Sequence, residues 1–124
     1  MDERERMREV LAERGMGWTL LADYDDYYGY GEPAWFWMGR IQYPQSQWDP
    51  FNSWEQAGLV IEAMLAKGWT VEADLTSIRS GSWVTVYRDI QESECGNAGE
   101  MDWTVPKCIS VAIYRALEAT DGEP

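Results

Sequence analysis

The stretch "SWEQAGLVIEAMLAKGW", residues 53 to 69, constrains the fold more than any other in the chain. Ser53 opens a capping box, in which its hydroxyl accepts from the backbone N–H of Gln56 while the Gln56 side chain reaches back. Ala57, Val60, Ile61, Met64 and Leu65 follow at helical spacing, and Gly68 supplies a left-handed stop with Trp69 placed to pack against the last turn. A helix punctuated at both ends and striped on one side must bury that stripe against something. The remaining sequence is therefore read for the surface that receives it.

Residues 3 to 14 place Met7, Val10 and Leu11 on one face of a short amphipathic helix ending at Gly15. "WTLLADYD" from Trp18 and "AWFWMGRIQY" from Ala34 read as two paired strands, because both are rich in β-favouring residues and Gly29-Tyr30-Gly31 between them favours a turn. "YPQSQWDPFN", with Pro44 and Pro50, reads as irregular chain. "WTVEADLTSI" and "SWVTVYRD" flank Arg79-Ser80-Gly81 as an antiparallel hairpin, with Trp83, Thr85 and Tyr87 on one face of the second arm and Val84 and Val86 on the other. Residues 89 to 102 carry five acids and no base and read as a solvated loop. Pro106 fits the first turn of a last helix striped by Ile109, Ala112, Ile113, Ala116 and Leu117.

At 124 residues, the length suits one domain able to bury a core without disulfide or metal staples. The domain is expected over residues 1–120, with 121–124 a disordered tail. Cys95 and Cys108 are read as reduced thiols, Cys108 as a small buried hydrophobe. The N-terminus lacks the apolar core of a signal peptide, and no stretch approaches the roughly 20 apolar residues of a membrane span, so a cytoplasmic protein is expected. With 22 acids against 10 bases the net charge is −12, which repels nucleic acid and anionic membranes alike. Residues 1 to 14 carry five acids and four bases, so nearly all the excess lies beyond them.

Histidine is absent altogether. That removes imidazole metal ligands, His-based triads and the commonest general base. Without a nucleophile beside a base, or a phosphate-cradling glycine motif, a non-enzymatic binding protein without cofactor or metal is expected.

The order and content of "VLAERGMGW" at 10 to 18, "DPFNSWEQAGLVIEAMLAKGW" at 49 to 69 and "VPKCISVAIYRALEA" at 105 to 119 resemble the phage ABA sandwich domain family. The resemblance implies a small bacteriophage or prophage protein, active in the host cytoplasm. Its implied fold is a single-domain α/β sandwich, with three main helices packed on a small, mostly antiparallel sheet of about four strands. It brings no catalytic residues, and it leaves individual function to the stretches that depart from the family pattern.

The first such stretch is "YDDYYGYGEPAWFW", residues 24 to 37, with seven aromatics and three carboxylates in fourteen positions. Trp35 and Trp37 alternate as a buried strand face would. Tyr27, Tyr28 and Tyr30 sit among Asp25, Asp26, Gly29, Gly31 and Glu32, where no periodic face buries them, and read as an exposed contact loop. A calcium site built from Asp23, Asp25, Asp26 and Glu32 fails at Tyr27, which stands where a fifth-position oxygen ligand is needed. The second stretch is the acidic loop with Glu92 and Glu94. Together these acids are expected to dock on the basic groove of a host protein, a CRISPR or restriction complex, by imitating phosphates. The alternatives are a sponge that stacks a small nucleotide signal on the aromatics and a carboxylate-based enzyme such as a glycosidase. Trp48, Trp54 and Trp103, at element boundaries, are expected to seal the core.

Overall fold

A computed structural model describes residues 2–21, 33–74, 83–88, 95–99 and 103–119. Asp2 caps α1 (Glu3–Val10), its carboxylate accepting from the Glu5 N–H at 2.8 Å. The helix does not run on unchanged to Gly15 as expected. It widens into a π turn over Leu11–Gly15, seen in the Met16 N–H to Leu11 carbonyl bond at 2.9 Å. The left-handed residue is Gly17, at φ 78°.

The strands β1 (Thr19–Leu21), β2 (Ala34–Trp37) and β3 (Arg40–Pro44) form one antiparallel sheet in that order. The pairing of the first two was expected, but "AWFWMGRIQY" is two strands rather than one. Met38 and Gly39 break it, both at positive φ, 50° and 82°. They close Trp37 onto Arg40 as a two-residue turn of the kind that matches strand twist.

The second sheet is also antiparallel, in the order β4 (Trp69–Asp74), β5 (Trp83–Arg88), β6 (Cys95–Ala98). The expected hairpin is present; its turn lies outside the described residues. Residues 89 to 102, read as loop, contribute β6, whose Ala98 pairs with Val84 and is buried. The described residues thus form two three-stranded antiparallel sheets, where a single sheet of about four strands was expected.

The helix α2 (Trp54–Ala66) starts and stops where expected. The Ser53 hydroxyl accepts from the Gln56 N–H at 3.1 Å, and Gly68 stands at φ 92°. Only half of the capping box forms. The Gln56 side chain turns instead to the preceding segment, accepting from the Asp49 N–H at 2.6 Å and donating to the Gln47 carbonyl at 2.7 Å. One amide thereby satisfies a donor and an acceptor that Ser53 could not reach.

The last helix, α3 (Val105–Ala119), packs across β5 and β6 and against α2. Its expected stripe is buried, and so are Cys108, Ser110 and Val111. The Ser110 hydroxyl donates to the Pro50 carbonyl at 2.9 Å, which satisfies a fully buried polar group. Val84 and Val86 face the same core from β5, as their alternation predicted.

The first sheet joins this core through aromatics. Trp18 lies 4.8 Å from Trp48 and 6.0 Å from Tyr43 between ring centroids, and the Trp48 indole donates to the Arg8 carbonyl at 2.9 Å. Trp48 is fully buried and Trp103 partly so, as seals of the core. Trp54 is not a seal, being 65% exposed. Among the described residues no helix is long and apolar enough to cross a membrane.

Candidate interaction surface

Asp25, Asp26, Tyr27, Tyr28, Tyr30, Glu32, Glu92 and Glu94 lie outside the described residues, as does Asp23. The strand ends flanking the tyrosine-rich stretch are described: Leu21 and Ala34 are register partners. Of the two tryptophans expected in the core, Trp35 is there and Trp37 is not. Between Trp35 and Phe36 the register slips, so that Trp35 opposes Tyr43 while Phe36 opposes Ile41. The unpaired residue is Gln42, so the bulge lies on β3, and Trp37 stands at the end of β2 beside the two-residue turn, where it is 47% exposed.

The described surface has apolar and aromatic groups of its own. On α2, Trp54, Gly58, Ile61 and Leu65 recur at intervals of four, three and four and fall on one helix face. Leu65, expected in the buried stripe, is 52% exposed. The stripe that is buried, with Ala57, Val60 and Met64, lies about a third of a turn away and leaves Leu65 outside. The only charges on this helix are Glu55 and Glu62, both exposed and two turns apart. Its outward face is therefore apolar with an acidic edge. A cleft of about 390 Å³ adjoins it, lined by Met16, Trp18, Trp37, Leu59, Glu62 and Lys67 among others. The Lys67 ammonium donates to the carbonyls of Arg14 and, at 2.6 Å, of Gly15, closing the end of the π turn. Partial burial, reinforced by Arg14, holds its pKa below the usual lysine value.

The outer face of the second sheet carries Thr70 opposite Tyr87 and Glu72 opposite Thr85. The Tyr87 hydroxyl donates to Glu72 at 2.7 Å, a bond that raises its pKa. At the strand end, Trp83 is 47% exposed.

The surface positions Trp54 and Leu65 were missed because the stripe on α2 was read from its core side alone. The signal was available: a helix apolar on more than one face has more than one surface to cover. Among the described residues no group of three or more Cys, Asp or Glu is placed to hold a metal ion. No family model matches the chain, and neither a curated protein nor a solved structure matches it.

Proposed function

We propose that this chain is a non-enzymatic, phage- or prophage-encoded binding protein that inhibits a host defence complex of the CRISPR or restriction type by docking on its basic, nucleic-acid-binding surface. The observation that carries this reading is the outward face of α2, where Trp54 and Leu65 stand in solvent and every charge on the helix is acidic. Large exposed rings with a polar tip are favoured at the centres of protein contacts, and the net charge of −12 directs them toward a cationic partner. Asp25, Asp26, Tyr27, Tyr28, Tyr30, Glu32, Glu92 and Glu94 extend the same acidic, aromatic chemistry. The lack of histidine supports binding over catalysis, and the resemblance to phage proteins supports a host target. The helices belong to one face of the sheets in this reading, as a sandwich requires, with the Trp83–Thr85–Tyr87 face turned outward.

The test is capture from a bacterial lysate with the wild-type chain beside two variants, W54A/L65A and Y27A/Y28A/Y30A. A basic, nucleic-acid-binding protein should be retained by the wild type, released by rising salt, and lost by at least one variant that melts like the wild type. Retention of the same proteins by all three chains, or capture indifferent to salt, would remove the proposal.

A further inference from the structure

We infer that this chain pairs with a second copy of itself about a two-fold axis, the β2–β3 turn of each copy seating Met38 in the cleft beside α2 of the other. The contact leaves Trp54 and Leu65 in solvent and does not rest on the proposed function. Its first part is the turn. Met38 stands at φ 50°, a conformation that residues other than glycine, asparagine and aspartate rarely adopt, and it is 79% exposed next to the half-exposed Trp37. Backbone strain that holds a large apolar side chain out in water marks a group with something to meet outside its own chain.

The second part is the cleft of about 390 Å³. Leu59, Glu62, Ala63 and Ala66 line it from one face of α2, about a third of a turn from both the buried stripe and the Trp54–Leu65 face. The two alanines leave a hollow, which Met16 and Trp37 wall from the other side. A flexible thioether side chain suits an irregular apolar hollow of this kind. Trp37 both lines the cleft and opens the turn, so knob and hollow stand side by side. That is what an isologous contact requires: with the axis beside Trp37, Met38 of each copy reaches the hollow of the other. Charge fits the same arrangement. Arg40 closes the turn in solvent and Glu62 stands at the cleft, and among the described residues neither side chain is in an ion pair. The two-fold brings Arg40 of each copy toward Glu62 of the other, two pairs of opposite charge. Lys67 also lines the cleft, but its ammonium is drawn off to the carbonyls of Arg14 and Gly15. A foreign basic surface would satisfy Glu62 and be opposed by Arg40, whereas a second copy satisfies both.

Sedimentation equilibrium of the purified chain decides the matter. A small contact between two chains of net charge −12 is weak, so a Kd of about 10–100 μM is expected, the weight-average mass rising from one chain toward two across that range. M38N suits the backbone of the turn and removes the knob, while R40E and E62R each set like charges against one another across the pair. Each should weaken pairing by about ten-fold or more, and the dilute, single chain should melt no lower than the wild type by more than a few degrees. R40E/E62R restores opposite charges in the reverse sense and should return the Kd to within about three-fold of the wild type. W54A/L65A should pair as the wild type does. A wild type that stays single up to about 500 μM overturns the inference. So does pairing that survives M38N, R40E and E62R, pairing lost in W54A/L65A, or a double reversal as weak as its single members. A chain that stays single while M38N releases a protein captured from a lysate overturns it too, and assigns the turn to a foreign partner.

Discussion

Met38 occupies a backbone position that glycine, asparagine or aspartate ordinarily fills. At φ 50° it is the first central residue of the β2–β3 turn, and its side chain is 79% exposed, so no packing compensates the conformation. Asparagine tolerates the left-handed region because its short polar side chain bonds locally. Met38→Asn should therefore stabilise the chain by about 0.5–1 kcal/mol, in the range of other substitutions that suit the native φ, read as a higher urea midpoint at unchanged slope. Gln56 presents the opposite case, a side chain committed at both ends. Gln56→Ala would strand the Asp49 N–H and the Gln47 carbonyl in a site where Gln56 itself is only 7% exposed. A loss of about 2 kcal/mol or more is expected from two unsatisfied groups. Gln56→Glu should fail as well, because a carboxylate can serve the Asp49 N–H but offers the Gln47 carbonyl no donor. If Glu proves as stable as Gln, the bond to Gln47 contributes nothing.

Elements whose signals are local were legible before any coordinates. Ser53 and Gly68 bracket α2 by side-chain and backbone chemistry within a few residues, and Val84 and Val86 declare the inner face of β5 by simple alternation. The strand β6 gave no such signal. Cys95-Gly96-Asn97-Ala98 has little strand propensity, and its pairing follows from the open edge of β5 beneath α3, a tertiary cause. The β2–β3 break was half legible, through Gly39 but not Met38. The predicted contact residues fall outside the described chain, whereas the α2 face was readable from the spacing of Trp54, Gly58, Ile61 and Leu65. The strand β2 makes the sharpest test at this scale, because it buries one of two tryptophans two positions apart and exposes the other. Trp35→Ala should cost about 3–5 kcal/mol, as for other large core truncations. Trp37→Ala should change stability by no more than about 1 kcal/mol. Chemical denaturation of the two variants side by side checks this, and equal losses would mean that the strand keeps its alternation.

At the scale of the whole molecule, the helices and the two sheets share a core in which ionisable side chains sit at the margin, and tyrosines at that margin govern the alkaline limit. Tyr43, beside Trp18 and Trp48, has its pKa raised from 10.0 by burial first and then by Glu55, with Gln56 opposing. Tyr114 is raised by burial first and then by its hydrogen bond to Glu118, against Arg6, which stands 3.5 Å from that carboxylate. Tyr87 is raised chiefly by its hydrogen bond to Glu72. In each case the folded chain keeps its phenolic proton to a higher pH than the unfolded chain. Below pH 10 both states hold that proton and the full stability is present. As pH climbs above 10 the unfolded chain releases protons that the folded chain retains, so unfolding is favoured and stability falls. Lys67 works in the other direction, since its folded pKa is lowered from 10.5 and stability grows as pH rises through that lowered value. Three tyrosines oppose one lysine, and each proton lost adds to the self-repulsion of a chain already at −12. The urea midpoint should hold nearly level to about pH 9.5 and then decline steeply toward pH 11, governed by the ordinary tyrosine and lysine values. Y43F/Y114F should flatten the decline while leaving the midpoint at pH 8 nearly unchanged, because removing the hydroxyls removes the titration and keeps the rings in place. A wild-type midpoint that stayed level through pH 11 would show that these hydroxyls ionise as freely in the folded chain as in the unfolded one.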